Sequence, residues 1–259
     1  MKNMKKMKTL LLPVVLITNI YAAEIDNISE AINIAGKQRM FTQRMVKDYS
    51  MIGMNNSFGS PKNDLVNITA SFDDALKELL AYNKDKLTEE SLNKVQILWT
   101  PIKSELEKEP SKENAPQLQK DLEVLLKECN TATVLFSKQT KESSGEIINI
   151  SGRQRMLSQR MAGLYMFKAW GINDSQFSKK MEDSMKLFKE SLNKLKAYNG
   201  NTPEINKYLN SSEKSFMFFE IMNKSSSKFI PSLIYKKSMD ILKNMNNATI
   251  AYTKIKEAK

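Results

Sequence analysis

Two stretches of this sequence set arginines into what otherwise reads as a buried helix: "INIAGKQRMFTQRM" at residues 32–45 and "INISGRQRMLSQRM" at residues 148–161. Anion recognition is the chemistry such side chains can do. A guanidinium stays charged and presents a planar fork of N–H donors that matches the paired oxygens of a small oxyanion. Arg39, Arg44, Arg155 and Arg160 are the candidate anion-binding residues. Their charges have no local answer. From Ile147 to Asn173 there is no Asp or Glu, and after the first motif the first acid is Asp48. Two guanidiniums about 7 Å apart repel by roughly 2 kcal/mol at an effective dielectric of about 20. A small oxyanion between them reverses that sign; carboxylates arriving from other helices are the alternative, and spacing alone leaves both open.

Other chemistries find no support. The chain has no histidine, no paired-carboxylate constellation and no glycine-rich phosphate loop, so no enzyme activity, cofactor or metal site is expected. Sixteen methionines raise the question of Cu(I). Met40, Met45, Met156 and Met161 fall on opposed helix faces, however, where core filling explains them better. Cys129 has no partner in the chain, and its counterpart one repeat later is Met245, which indicates a buried apolar slot.

The elements that position the arginines come from a duplication. A shift of 116 residues superimposes the two motifs with ten of fourteen positions identical. The same shift sets "FDDALKELLAYN" (72–83) on "FKESLNKLKAYN" (188–199) and "LLKECNTATVLFSK" (125–138) on "ILKNMNNATIAYTK" (241–254). A constant offset means a tandem repeat of one structural unit. Within the first copy, breakers and three-to-four spacing predict helices over about residues 25–54, 62–83, 88–108 and 116–141, with Pro101 kinking the third. The second copy repeats the plan, and its "NTPE" offers Thr202 as a cap before Pro203. Strand signals are absent. The fold class is all-α: two tandem four-helix bundles, residues 23–142 and 143–259, packed as a pseudo-dimer.

On a wheel with about 100° per residue, Ile34, Phe41 and Met45 form a stripe for the bundle's own core. Ile32, Gly36, Arg39, Met40 and Gln43 lie on a second face, with Arg44 beside them. A glycine inside a helix costs about 1 kcal/mol against alanine, yet Gly36 and Gly152 stand in both motifs. The expectation is that they let another helix approach, so that Gly36, Gly152, Gln43 and Gln159 form an interface bringing the arginines together.

The first 22 residues read as a cleaved secretory signal peptide: four lysines, an apolar run from Leu10 to Ile20, and small residues at Ala22 and Ala23. No later segment approaches the roughly twenty apolar residues of a membrane span, so the mature chain is expected in a bacterial periplasm. Without the leader the formal net charge falls from +11 to +7. That excess suits anionic ligands, but without dense basic blocks or interleaved aromatics nucleic acid is not a partner.

The pattern I-N-x-A/S-G-x-Q-R-M-x-x-Q-R-M resembles the helix 1 signature of the NarX/PilJ-type sensor domain. That domain is the periplasmic four-helix bundle of nitrate/nitrite sensor kinases and type IV pilus chemoreceptors. In nitrate-sensing members one arginine from helix 1 of each of two protomers clamps nitrate across the dimer interface. The resemblance implies that Arg39 and Arg155 occupy the clamping position, Arg44 and Arg160 that of a second arginine, and Gly36 and Gly152 that of a small residue one turn earlier. It covers essentially the whole mature chain as two domains. The implied function is a periplasmic sensor or binding protein for a small inorganic anion, nitrate or nitrite first, working with a separate membrane-bound receptor or transporter. The alternative is an interaction module that docks on a sensor kinase, chemoreceptor or pilus machinery without a small ligand.

Overall fold

The computed structural model describes residues 25–140, 143–224 and 230–255; the expected signal peptide lies outside them. Among the described residues there are eight helices and no strand: α1 (Ile28–Gly53), α2 (Pro61–Tyr82), α3 (Lys86–Leu106), α4 (Ala115–Lys138), α5 (Ser143–Ala169), α6 (Phe177–Lys196), α7 (Pro203–Lys224) and α8 (Pro231–Thr253). Local chemistry sets the ends. The first helix starts three residues later than periodicity alone suggests, because Asn27 is extended and its side chain accepts the Glu30 N–H at 3.0 Å. Thr202 caps α7 through the Ile205 N–H at 3.2 Å, with Pro203 as the first helical residue. The third helix continues through Pro101.

The packing obeys the repeat. In the first copy α1 lies against α2 and α4, and α4 against α3; in the second α5 lies against α6 and α8, and α8 against α7. The most extensive helix contact of the molecule joins α1 to α5. Each of these two helices therefore has its own bundle on one side and the opposite bundle on the other. Ile34, Phe41 and Met45 are buried, and so are Ile32, Gly36, Arg39, Met40 and Gln43 on the second face.

A tyrosine near the end of each buried helix fastens a distant connection. The Tyr49 hydroxyl accepts the Ser111 N–H at 3.1 Å, and the Tyr165 hydroxyl accepts the Ile230 N–H at 2.8 Å. Each bundle packs one close aromatic pair between its second and third helices: Phe72 and Trp99 in the first, with ring centroids 4.3 Å apart, and Phe188 and Phe216 in the second, at 4.5 Å. Cys129 and Met245 are both fully buried, and burial pushes the Cys129 thiol far up.

The glycines act differently from the expectation. A Cβ on Gly36 would meet Nη2 of Arg155 at 3.2 Å and Nη2 of Arg39 at 3.3 Å; on Gly152 the same atoms lie at 3.1 and 3.4 Å. These positions are small to make room for guanidiniums, not for a neighbouring backbone. Close helix approach falls instead at Gly163, whose Cβ would sit 3.2 Å from Val46 Cγ1 and 3.5 Å from both the Gln43 carbonyl oxygen and the Lys47 nitrogen.

Candidate functional site

Two guanidiniums occupy the centre of the α1–α5 contact. Arg39 Nη1 donates to Asn149 Oδ1 across the interface and to Asn130 Oδ1 on α4, each at 2.8 Å, while Nη2 donates to the Asn149 carbonyl at 3.2 Å. Arg155 mirrors this. Its Nη1 donates to Asn33 Oδ1 at 2.9 Å and to Asn246 Oδ1 on α8 at 3.0 Å, and its Nη2 to the Asn33 carbonyl at 3.1 Å. Each asparagine is the 116-residue counterpart of another, so the site has a pseudo-twofold arrangement.

The donor inventory shows what is left over. A guanidinium has five N–H groups. Asparagine oxygens take both hydrogens of Nη1, and a carbonyl takes one of Nη2. The remaining N–H groups are Nε, without a partner in Arg39 and in Arg155, and the outer hydrogen of Nη2. In a guanidinium, Nε–H and the adjacent hydrogen of Nη2 lie along one edge. Each arginine thus keeps one fork, and both Nη2 atoms lie within 3.4 Å of the position a Cβ on Gly152 would take.

Both arginines are fully buried, and among the described residues the oxygens that accept their hydrogen bonds are all neutral. Burial pushes Arg39 down to about 9, helped by the fields of Arg153 and Arg155, and pushes Arg155 down to about 10. Both values leave the pair cationic at pH 7. Two desolvated like charges with no carboxylate between them are an unstable arrangement that an anion would relieve.

The other two motif arginines are engaged by carboxylates. Arg44 forms a forked pair with Asp64 on α2, its Nε donating to Oδ2 at 2.7 Å and its Nη2 to Oδ1. Nη2 of Arg160 lies 3.0 Å from Glu123 Oε2 on α4 of the opposite bundle. For these two, the ion-pair alternative describes the geometry. Gln43 and Gln159 are both buried where α1 meets α5. Gln159 accepts from Lys47 Nζ at 3.1 Å and donates to the Ser238 carbonyl at 3.1 Å, whereas Gln43 donates to Thr42 Oγ1 at 3.4 Å.

Sequence reasoning missed the asparagines. The signal was present: Asn33 and Asn149 share a motif position, and Asn130 and Asn246 match at the same offset. It also missed a buried charged cluster beside the site. Lys47 and Asp48 are both fully buried, with Nζ 3.4 Å from Oδ1. Nζ also lies 4.2 Å from the centroid of Tyr235 on α8. Burial raises Asp48 well above the ordinary carboxylate range, against the pull of Lys47. The repeat positions of Lys47 and Asp48 are Gly163 and Leu164, so this cluster exists on one side only.

A pair of helical bundles joined back to back through an arginine-bearing helix from each defines the class: a twinned all-α bundle protein. A family model described as the type IV pili methyl-accepting chemotaxis transducer N-terminal domain (PilJ) matches residues 21–125 and 137–208. The chain belongs to that family of periplasmic sensor domains of chemotaxis transducers. No curated protein and no solved structure matches it. Among the described residues no helix is long and apolar enough to cross a membrane.

Proposed function

We propose that the chain is a fused pair of sensor bundles, residues 23–142 and 143–259, that binds one small oxyanion between Arg39 and Arg155. Nitrate or nitrite is the first candidate. The observation that carries this reading is the pair of unpartnered Nε atoms on two fully buried arginines whose Nη2 atoms converge beside Gly36 and Gly152. Two forks offer four N–H donors, and an anion with two or three coplanar oxygens can accept from both at once. Neutral asparagines hold the arginines in place without cancelling their charge, so the anion supplies the missing countercharge. The chain would report occupancy to a membrane-bound transducer or transporter. Arg44 and Arg160, committed to Asp64 and Glu123, stabilise the bundles and stay outside the anion's shell.

The test is calorimetric titration of the full chain with nitrate, nitrite, chloride and sulfate. The reading expects one oxyanion per chain and loss of the signal in Arg39→Ala and in Arg155→Ala; no heat with any anion, under conditions where the protein is folded, overturns it. A docking module without a small ligand is the second reading. The apolar side chains exposed on α7, Met217, Phe218 and Ile221, favour it.

A further inference from the structure

The motif helices are buried almost without interruption. From Ala31 to Met51 every residue is buried except Lys37 and Arg44; from Ile148 to Phe167 every residue is buried except Arg153 and Arg160. All four exceptions are basic. Two of them are answered, Arg44 by Asp64 and Arg160 by Glu123. Lys37 and Arg153 make no ion pair or hydrogen bond among the described residues, although both are only partly exposed. Each follows the motif glycine and precedes the clamping arginine by two. Lys37 and Arg153 are thus the two unpaired, partly exposed cations on the otherwise buried stretches that carry the arginine pair.

The relation crosses the interface. The field of Arg155 depresses Lys37, second only to burial, and that of Arg153 depresses Arg39. Each surface cation therefore lies in the field of the opposite copy's clamp. The two differ in their surroundings. Glu78 and Glu30 pull back on Lys37 from beyond ion-pair distance; the repeat counterpart of Glu30 is again an acid, Glu146, whereas that of Glu78 is Lys194.

We propose that Lys37 and Arg153 are the entry residues of the anion site, partly exposed cations that draw a small oxyanion from solvent to Arg39 and Arg155 and set its association rate. This rests on the oxyanion reading above. Clefts lined by one sign of charge raise on-rates by about tenfold or more through steering alone. Arg153, with no carboxylate at the position that Glu78 holds near Lys37, contributes the larger share.

The experiment is an NMR line-shape titration of the full chain with sodium nitrate at several ionic strengths, following the Gly36 and Gly152 amides to extract both rate constants. Lys37→Gln is expected to slow association about threefold and Arg153→Gln about fivefold, and the double variant about tenfold, with dissociation unchanged. The salt dependence of association should flatten in step, and the charge-retaining Lys37→Arg and Arg153→Lys should keep wild-type rates. If the wild type binds nitrate and the neutral variants associate as fast as it does, the entry role fails while the clamp stands. Faster dissociation with unchanged association also overturns it, because the cations would then hold the bound anion. No binding by the wild type would instead sink the oxyanion reading itself.

Discussion

Arg39 and Arg155 are each held by the asparagine that precedes the other by six residues: Arg39 by Asn149, Arg155 by Asn33. Neither bundle completes its own arginine. Each guanidinium takes one asparagine from its own fourth helix and the other from the opposite bundle. The site and the α1–α5 contact are consequently one structure.

On the proposed reading both arginines hold one anion, so they should act as a unit. Arg39→Ala and Arg155→Ala are each expected to remove most of the binding, and the double variant should be scarcely weaker than either. Ligand should raise the melting temperature of the wild type and of neither variant. Two anions per chain, each insensitive to the other bundle's arginine, would contradict a shared site.

Arg44 and Arg160 should separate from that pair. Arg44→Ala leaves Asp64 without its forked partner in a largely buried position, at a cost of about 3 kcal/mol. Oxyanion affinity should stay within about twofold of wild type, and Arg160→Ala should behave alike with a smaller loss of stability. Denaturant melts and calorimetry on the same samples check both halves of the statement.

The glycines give a steric prediction. A Cβ at Gly36 or Gly152 falls 3.1–3.4 Å from both Nη2 atoms, so alanine demands a shift of a few tenths of an ångström and leucine displaces a guanidinium outright. Gly36→Ala should weaken nitrate binding about tenfold with the helical circular dichroism retained. Gly36→Leu should abolish binding and lower the melting temperature. Binding that survives Gly36→Leu would place the anion elsewhere.

Asp48 supplies a pH dependence. Its folded value is raised by burial well above that of an exposed carboxylate. A raised value means the folded state holds the proton more tightly than the unfolded state. The stability this confers is fully present below the unfolded value, near 3.9, and is lost as pH rises through the folded one. Asp48→Asn removes the titration, so its stability should decline less than that of wild type from pH 4 towards neutrality. Equilibrium unfolding at several pH values checks this, and parallel profiles would show that Asp48 is ionised throughout.

Much of the architecture was legible because the chain states it twice. The 116-residue offset, the three-to-four spacing of Leu65, Ile68, Phe72, Leu76 and Leu79, and the breakers around Gly59 and Pro203 carry the helices and their order. The arginines were legible as charges without local acids. Their partners were not, because an asparagine on a helix face is compatible with solvent, a cap or a buried bond, and nothing local decides among these. The same holds for Gly36: sequence registers that a side chain is unwelcome, not whether a backbone or a guanidinium fills the space. Lys47 and Asp48 escaped for a third reason. Their burial depends on Tyr235, Gln159 and Met239 arriving from the other bundle, and no helical periodicity in α1 encodes that arrival.

The covalent joining of the two halves, whose α1 and α5 pack against each other, has a consequence for how such a detector would read concentration. A clamp assembled from two separate chains falls apart on dilution, and its occupancy then depends on how much protein is present as well as on how much anion. Here the second arginine is tethered to the first, at an effective concentration that for short linkers reaches about the millimolar range. Occupancy would follow the anion alone, along a simple hyperbola with a Hill slope of one, at any abundance of the chain. With its arginine-bearing faces already spent on each other, the molecule would also have none left to exchange with a second copy, and its dose–response would be the same in a cell that makes little of it as in one that makes much.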